Sequence, residues 1–211
     1  MPVEVKICGL STPETLDAAL AAGADFVGLN FYPGSPRNVS TEQAKALANR
    51  ARGKARIAAI VVDADDRSLT AIDDAVQPDY FQAHGDETPE RVAAIKELTG
   101  KSVIKVIRVR EAADIAQASA YAGKAAFIFY DAKTPAGALP GGMGISFDWQ
   151  LLRGMEGRFM LGGGLTPANV AEAIRISGAA MVDVSSGVES ATGIKDIGLI
   201  RKFIEAAKGA R

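Results

Sequence analysis

Eight short apolar runs, most of them rich in Val, Ile, Phe and Ala, recur along the 211-residue chain and alternate with Ala-, Glu- and Lys-bearing stretches of helical period. The runs predict strands near 3–7, 26–31, 56–62, 79–82, 102–107, 126–130, 158–161 and 181–184. The stretches between them predict helices near 12–22, 40–51, 65–75, 88–98, 111–121, 167–176 and 195–207. Between the sixth and seventh strands only Ser146-Phe147-Asp148-Trp149-Gln150-Leu151-Leu152 is available for a helix, so that unit is degenerate. Alternating strands and helices imply parallel strands, and eight of them can close. The expected architecture is a single α/β domain over 1–211, a (β/α)8 TIM barrel. An open doubly wound sheet ranks second because it leaves two edges to protect. Thr12-Pro13-Glu14, Thr88-Pro89-Glu90 and Thr166-Pro167-Ala168 each read as a helix start, with a hydroxyl cap followed by Pro in the first turn.

Charge narrows the partners. With 24 basic against 25 acidic residues, the net charge of -1 offers no field for nucleic acid, so an anion must be bound by a local pocket. That points to a small molecule. One Cys and one His make neither an internal disulfide nor an ordinary zinc site, and no metal catalyst is expected. The N-terminus enters a strand without a basic region and apolar core, and no stretch approaches about 20 unbroken apolar residues. No membrane partner and a cytoplasmic location are expected; the oligomeric partner stays open.

In a barrel of this kind, active sites form at the carboxyl ends of the strands. Cys8 follows Val3-Glu4-Val5-Lys6-Ile7 and precedes Gly9; Asp131 follows Ala126-Phe127-Ile128-Phe129-Tyr130. One thiol and one carboxylate at strand exits look like a base and an acid, although a free Cys is often a small buried hydrophobe and an Asp often a turn former. Strand alternation puts Lys6 on the face of Cys8, where an ammonium favours the thiolate. Lys6 is expected to pair with Asp183, and Lys105 to join these charges inside the barrel; polar barrel filling is the alternative. Glycine clusters follow the last three strands: Gly141-Gly142-Met143-Gly144, Gly162-Gly163-Gly164 and Ser185-Ser186-Gly187. Together they suggest a phosphate pocket built from backbone N–H groups, although any one alone reads as a turn. Arg37, in a Pro-rich loop, is either a carboxylate clamp or a solvated arginine. His84 reads as a loop contact or packing residue rather than a catalyst.

Taken together, Lys6-Ile7-Cys8-Gly9-Leu10, Gly23-Ala24-Asp25 with Gly28, Ser35-Pro36-Arg37, Gln82 with His84-Gly85 and Glu87, Asp131, Gly141-Gly142 with Gly144, Phe147-Asp148-Trp149, Gly163-Gly164-Leu165 with Asn169-Val170, and Asp183-Val184-Ser185-Ser186-Gly187-Val188-Glu189 resemble the phosphoribosylanthranilate isomerases of tryptophan biosynthesis over essentially the full length. The resemblance implies a cofactor-free Amadori rearrangement of N-(5-phosphoribosyl)anthranilate to the 1-deoxyribulose 5-phosphate. In that chemistry Asp131 protonates the ring oxygen and Cys8 takes the proton from C2. It further implies that Gly142, Gly144, Gly163, Gly164, Ser186 and Gly187 hold the phosphate, Arg37 the anthranilate carboxylate and Asp183 a ribose hydroxyl; the aromatic ring also needs an apolar wall, for which Phe31, Tyr32 or nearby aliphatic residues are candidates. An acid must arrive protonated and a base without its proton, so Asp131 is expected to have a raised pKa and Cys8 a lowered one. Ala83, Met143 and Gly162 depart from the family's usual Leu, Thr and Ala; Met143 bears most on the phosphate. The aminoaldose isomerase of histidine biosynthesis, which normally has Asp at the position of Cys8, and a non-catalytic phosphosugar-binding barrel are the rival readings.

Overall fold

The computed structural model describes residues 2–133, 144 and 146–210. Strands β1 (Glu4–Cys8), β2 (Phe26–Asn30), β3 (Arg56–Val61), β4 (Tyr80–Ala83), β5 (Ser102–Val109), β6 (Phe127–Ala132), β7 (Phe159–Leu161) and β8 (Met181–Val184) form a closed parallel barrel in sequence order. β1 closes it by pairing with both β2 and β8, which puts Lys6 opposite Phe26 on one side and Asp183 on the other. Helices α1 (Pro13–Ala21), α2 (Thr41–Ala51), α3 (Asp66–Val76), α4 (Pro89–Thr99), α5 (Ala112–Ala116), α6 (Val170–Ser177) and α7 (Ile197–Lys208) connect the strands. Two of the expected caps form: Thr12 and Thr88 accept from the Thr15 and Arg91 amides at 3.3 and 3.2 Å.

Alternation along each strand divides the apolar residues into two cores. Val5, Ile7, Val27 and Leu29 face the helices, whereas Phe26, Ala58, Ile104, Val106, Phe129, Met160 and Met181 fill the barrel. At the amino end of the strands, Arg56 stacks 3.7 Å from the centre of the Phe26 ring and hydrogen-bonds Glu4 at 2.6 Å.

Several elements differ from expectation. Thr166 does not cap α6: its amide donates to Asn169 Oδ1 at 2.7 Å, and the turn at 166–169 precedes a helix that starts only at Val170. The helix expected over 111–121 is α5 followed by a 3-10 turn, Gln117–Tyr121. Ser119 Oγ donates to the Ala116 carbonyl at 2.9 Å, a local bond that competes with continued α-helix. Between β6 and β7, the described residues hold one 3-10 turn, Trp149–Leu152. After β8 the chain makes a 3-10 turn, Ser186–Val188, and a small antiparallel ribbon of β9 (Glu189–Ala191) and β10 (Ile194–Lys195) that the strand pattern did not predict.

Lys105 does not join the charges inside the barrel. It lies between inward-facing Ile104 and Val106, so alternation sends it to the helix side. There its ammonium meets Glu87 Oε2 at 2.7 Å and the Gly85 carbonyl at 2.8 Å.

Candidate active site

Cys8 ends β1 and Asp131 lies one residue before the end of β6, so both belong to the carboxyl mouth of the barrel. Each shares the inward alternation of its strand, Cys8 with Lys6 and Asp131 with Phe129. Gly28, directly across from Cys8, has to be small: a Cβ there would stand 3.1 Å from Cys8 Sγ.

Lys6 is fully buried, and its ammonium meets Asp183 Oδ1 at 2.6 Å, the pair that cross-strand register dictates. Burial alone would lower the Lys6 pKa, but the Asp183 carboxylate and the Cys8 sulfur outweigh it and hold the ammonium above its ordinary value. The expectation of a lowered Cys8 pKa is corrected. Burial pushes the thiol up, Asp183 adds to the rise, and Lys6 and Lys195 offset only part of it.

A second cluster surrounds Asp131. Its Oδ1 accepts from the Ala132 amide at 2.9 Å, and its Oδ2 lies 3.3 Å from His84 Nε2, close but not aligned as a hydrogen bond. His84 Nδ1 faces Gln82 Nε2 at 3.1 Å. With that amide orientation Nδ1 accepts, and Nε2 is the ring nitrogen on the Asp131 side. The Phe129 ring lies near both clusters, with its centre 5.9 Å from Lys6 Nζ and 6.2 Å from the His84 ring.

The glycine clusters let adjacent loops touch. A Cβ on Gly187 would sit 1.9 Å from the Leu165 carbonyl oxygen, and one on Gly163 would sit 2.5 Å from the Ala132 amide nitrogen. Gly163 and Gly164 also adopt φ of 83° and 63°, the left-handed region. The loops after β7 and β8 therefore meet through bare backbone, next to the strand end that carries Asp131. Ser186 opens the 3-10 turn that contains Gly187. Gly144 is exposed with φ of 69°. Gly142, with Gly141 and Met143, lies outside the described residues.

Arg37 is buried rather than solvated. Its Nε and Nη2 donate to Glu189 Oε1 and Oε2 at 2.7 and 2.8 Å, a two-point ion pair with the β9–β10 ribbon. Burial works against the guanidinium's charge, but Glu189 raises its pKa overall. Burial likewise opposes the Glu189 charge, yet Arg37, Lys195 and the Gly193 amide hold its pKa at about 2. Phe31 packs against the outer core. Among the described residues, no group of three or more His, Cys, Asp or Glu side chains is placed to hold a metal ion.

The family model described as N-(5'phosphoribosyl)anthranilate (PRA) isomerase matches residues 5–206. The chain belongs to the PRA isomerase family. Similar relatives include N-(5'-phosphoribosyl)anthranilate isomerases from Paramagnetospirillum magneticum, 53% identical over the full length of both chains, and from Rhizobium meliloti, 51% identical over all of this chain and 99% of the relative. Among solved structures, the Thermotoga maritima phosphoribosyl anthranilate isomerase is 35% identical with a TM-score of 0.88, covering 98% of this chain and 99% of that one. A second isomerase structure, 33% identical with a TM-score of 0.86 over 98% of this chain and 99% of the other, contains reduced 1-(o-carboxyphenylamino)-1-deoxyribulose 5-phosphate. The activity is isomerisation of N-(5'-phosphoribosyl)anthranilate in tryptophan biosynthesis.

Three side chains of the chain carry more than their sequence signals suggested: His84, Glu189 and Lys195. His84 leaves a strand two positions after inward-facing Gln82, the same placement that singled out Cys8 and Asp131, and period-two alternation carries the signal. Glu189 and Lys195 sit on the unpredicted ribbon. Its Ala191-Thr192-Gly193-Ile194 turn, with Gly193 at φ 80°, was the readable sign of a hairpin.

Proposed function

We propose that the whole chain acts as one barrel domain in which Asp131 is the general acid and Cys8 the general base of the PRA isomerase reaction. Asp131 gives its proton to the furanose ring oxygen as the C1–O bond breaks, and the anilino nitrogen lone pair forms the C1=N iminium. Cys8, as thiolate, takes the C2 proton; the C–H electrons form C1=C2 and neutralise the nitrogen. Proton return to C1 and loss of the hydroxyl proton at C2 complete the ketone. The observation that carries this division is the placement of the two groups on the inner face of one mouth, on separate strands, with Phe129 near both clusters.

His84 Nε2 faces the Asp131 carboxylate and stabilises it after it has given up its proton. Arg37 receives the anthranilate carboxylate, Asp183 a ribose hydroxyl, and the backbone of Gly142, Gly144, Gly163, Gly164, Ser186 and Gly187 the phosphate. The reading is supported by the contact of the loops after β7 and β8 and by the relative that holds a phosphorylated product analogue. The ligand is thus a small phosphorylated aminosugar. Among the described residues no helix is long and apolar enough to cross a membrane, and a cytoplasmic site of action fits the pathway.

The test is turnover of Cys8→Ala and Asp131→Asn, followed by loss of substrate fluorescence. Each variant should lose at least about a hundredfold in kcat, while the reduced product analogue still binds through its phosphate. Near-wild-type turnover in either variant refutes that residue's role.

A further inference from the structure

The ribbon that follows β8 carries more buried charge than a connecting segment needs. Glu189 Oε1 is shared between Arg37 Nε and Lys195 Nζ, each at 2.7 Å, while its Oε2 accepts from Arg37 Nη2 at 2.8 Å and from the Gly193 amide at 3.0 Å. Lys195 donates in turn to the Ser185 carbonyl at 2.9 Å and to its hydroxyl at 3.2 Å, and that hydroxyl donates to the Cys8 carbonyl at 3.3 Å. The Arg37 stem crosses the backbone just beyond Cys8, where a Cβ on Gly9 would stand 2.7 Å from Arg37 Cδ. One continuous chain of contacts therefore runs from the guanidinium to the main chain of the catalytic cysteine.

Burying three charged side chains is expensive, and well-packed apolar residues generally hold a fold as well or better. A purely structural ribbon has no need of them. The arrangement does what apolar packing cannot: it clamps the Nε–Nη2 edge of a planar fork, so that the guanidinium plane is fixed before a ligand arrives.

We propose that Glu189 and Lys195 are positioning residues for substrate specificity. Glu189 orients Arg37 to meet the anthranilate carboxylate, and Lys195 holds Glu189 in register with the loop beside Cys8. The proposal rests on the reading of Arg37 as the carboxylate clamp. In it the substrate carboxylate meets the Arg37 guanidinium, and binding energy aligns the aniline nitrogen over the reacting C1–C2 bond.

The experiment compares two substrates on each enzyme: N-(5'-phosphoribosyl)anthranilate and N-(5'-phosphoribosyl)aniline, which lacks the carboxylate. The ratio of their kcat/KM values is internal to each variant, so partial misfolding cancels. Wild type should favour the carboxylated substrate by at least about thirtyfold, in the range of a charge-assisted hydrogen bond. Arg37→Met should abolish the preference. Glu189→Gln should cut it at least tenfold, mainly through KM, and Lys195→Met should cut it by a smaller factor in the same direction. Glu189→Asp, which keeps the charge, should recover part of it and serves if the Gln variant does not fold. A Glu189→Gln enzyme that slows both substrates equally overturns the positioning role while leaving the Arg37 clamp intact. An Arg37→Met enzyme that keeps the full preference overturns the clamp itself.

Discussion

Replacing Lys6 with Met removes one partner from a fully buried ion pair and leaves Asp183 facing the barrel interior without its 2.6 Å neighbour. Stranding a buried charge in this way costs about 3–5 kcal/mol. In a domain of this size each kcal/mol moves Tm by about 2–4 °C, so Lys6→Met should melt roughly 6–20 °C below wild type. Lys6→Met combined with Asp183→Asn should regain most of that loss, because no stranded charge remains. The pH dependence has a definite sign. The folded-state Lys6 pKa stands above its ordinary 10.5, so its stabilisation is fully present below 10.5 and fades as pH rises through the folded value. The gap between wild type and variant should hold steady from neutral pH to about pH 9 and narrow only above the lysine range. Kinetics give an independent reading. Burial raises the Cys8 pKa and Lys6 opposes it, so the rising limb of kcat/KM should lie above the ordinary thiol value of about 8.5 and move higher still in Lys6→Met. Melting by differential scanning calorimetry and pH–rate profiles check both. A Lys6→Met enzyme that melts within about 2 °C of wild type and keeps its pH limb would refute the reasoning.

Three further outcomes are expected. Glu189, held at about 2 in the fold against 4.5 ordinarily, contributes stability above pH 4.5 that is lost as pH falls; between pH 6 and 3 wild type should lose about 2 kcal/mol more than Glu189→Gln in urea titrations. Gly187→Ala forces a methyl onto the Leu165 carbonyl and should cost about 1–3 kcal/mol in denaturant melts, with KM raised severalfold as the two loops part. Lys105→Met strands Glu87 beneath the loop that carries His84, and should destabilise by about 3–5 kcal/mol, most of it recovered by adding Glu87→Gln.

The barrel was readable because its strands are short, apolar and regularly spaced, and because alternation with helices admits few ways of pairing them. Lys6 with Asp183 was readable for the same reason: closing β1 against β8 makes them direct neighbours. Lys105 misled because a charge between apolar neighbours looks the same whichever face it takes, and only the register of β5 sends it outward. The Cys8 pKa misled because a sequence shows the cation nearby but not the depth of burial, and depth prevails. The Glu189 pairing with Arg37 spans 152 residues and depends on a ribbon of five strand residues, too short to register as a pattern. Thr166 failed as a cap because Asn169 offers its own side-chain oxygen to the same turn, a competition that Thr-Pro alone does not reveal.

The most direct measurement is a crystal structure of this protein with reduced 1-(o-carboxyphenylamino)-1-deoxyribulose 5-phosphate. The phosphate should lie on the main chain of Gly164 and Gly187, Cys8 Sγ about 3.5 Å from C2, and the Asp131 carboxylate within hydrogen-bond reach of the sugar oxygen that closes the ring in the substrate. A ligand whose C2 lies beyond reach of the sulfur, or whose phosphate sits away from the loops after β7 and β8, would contradict this placement.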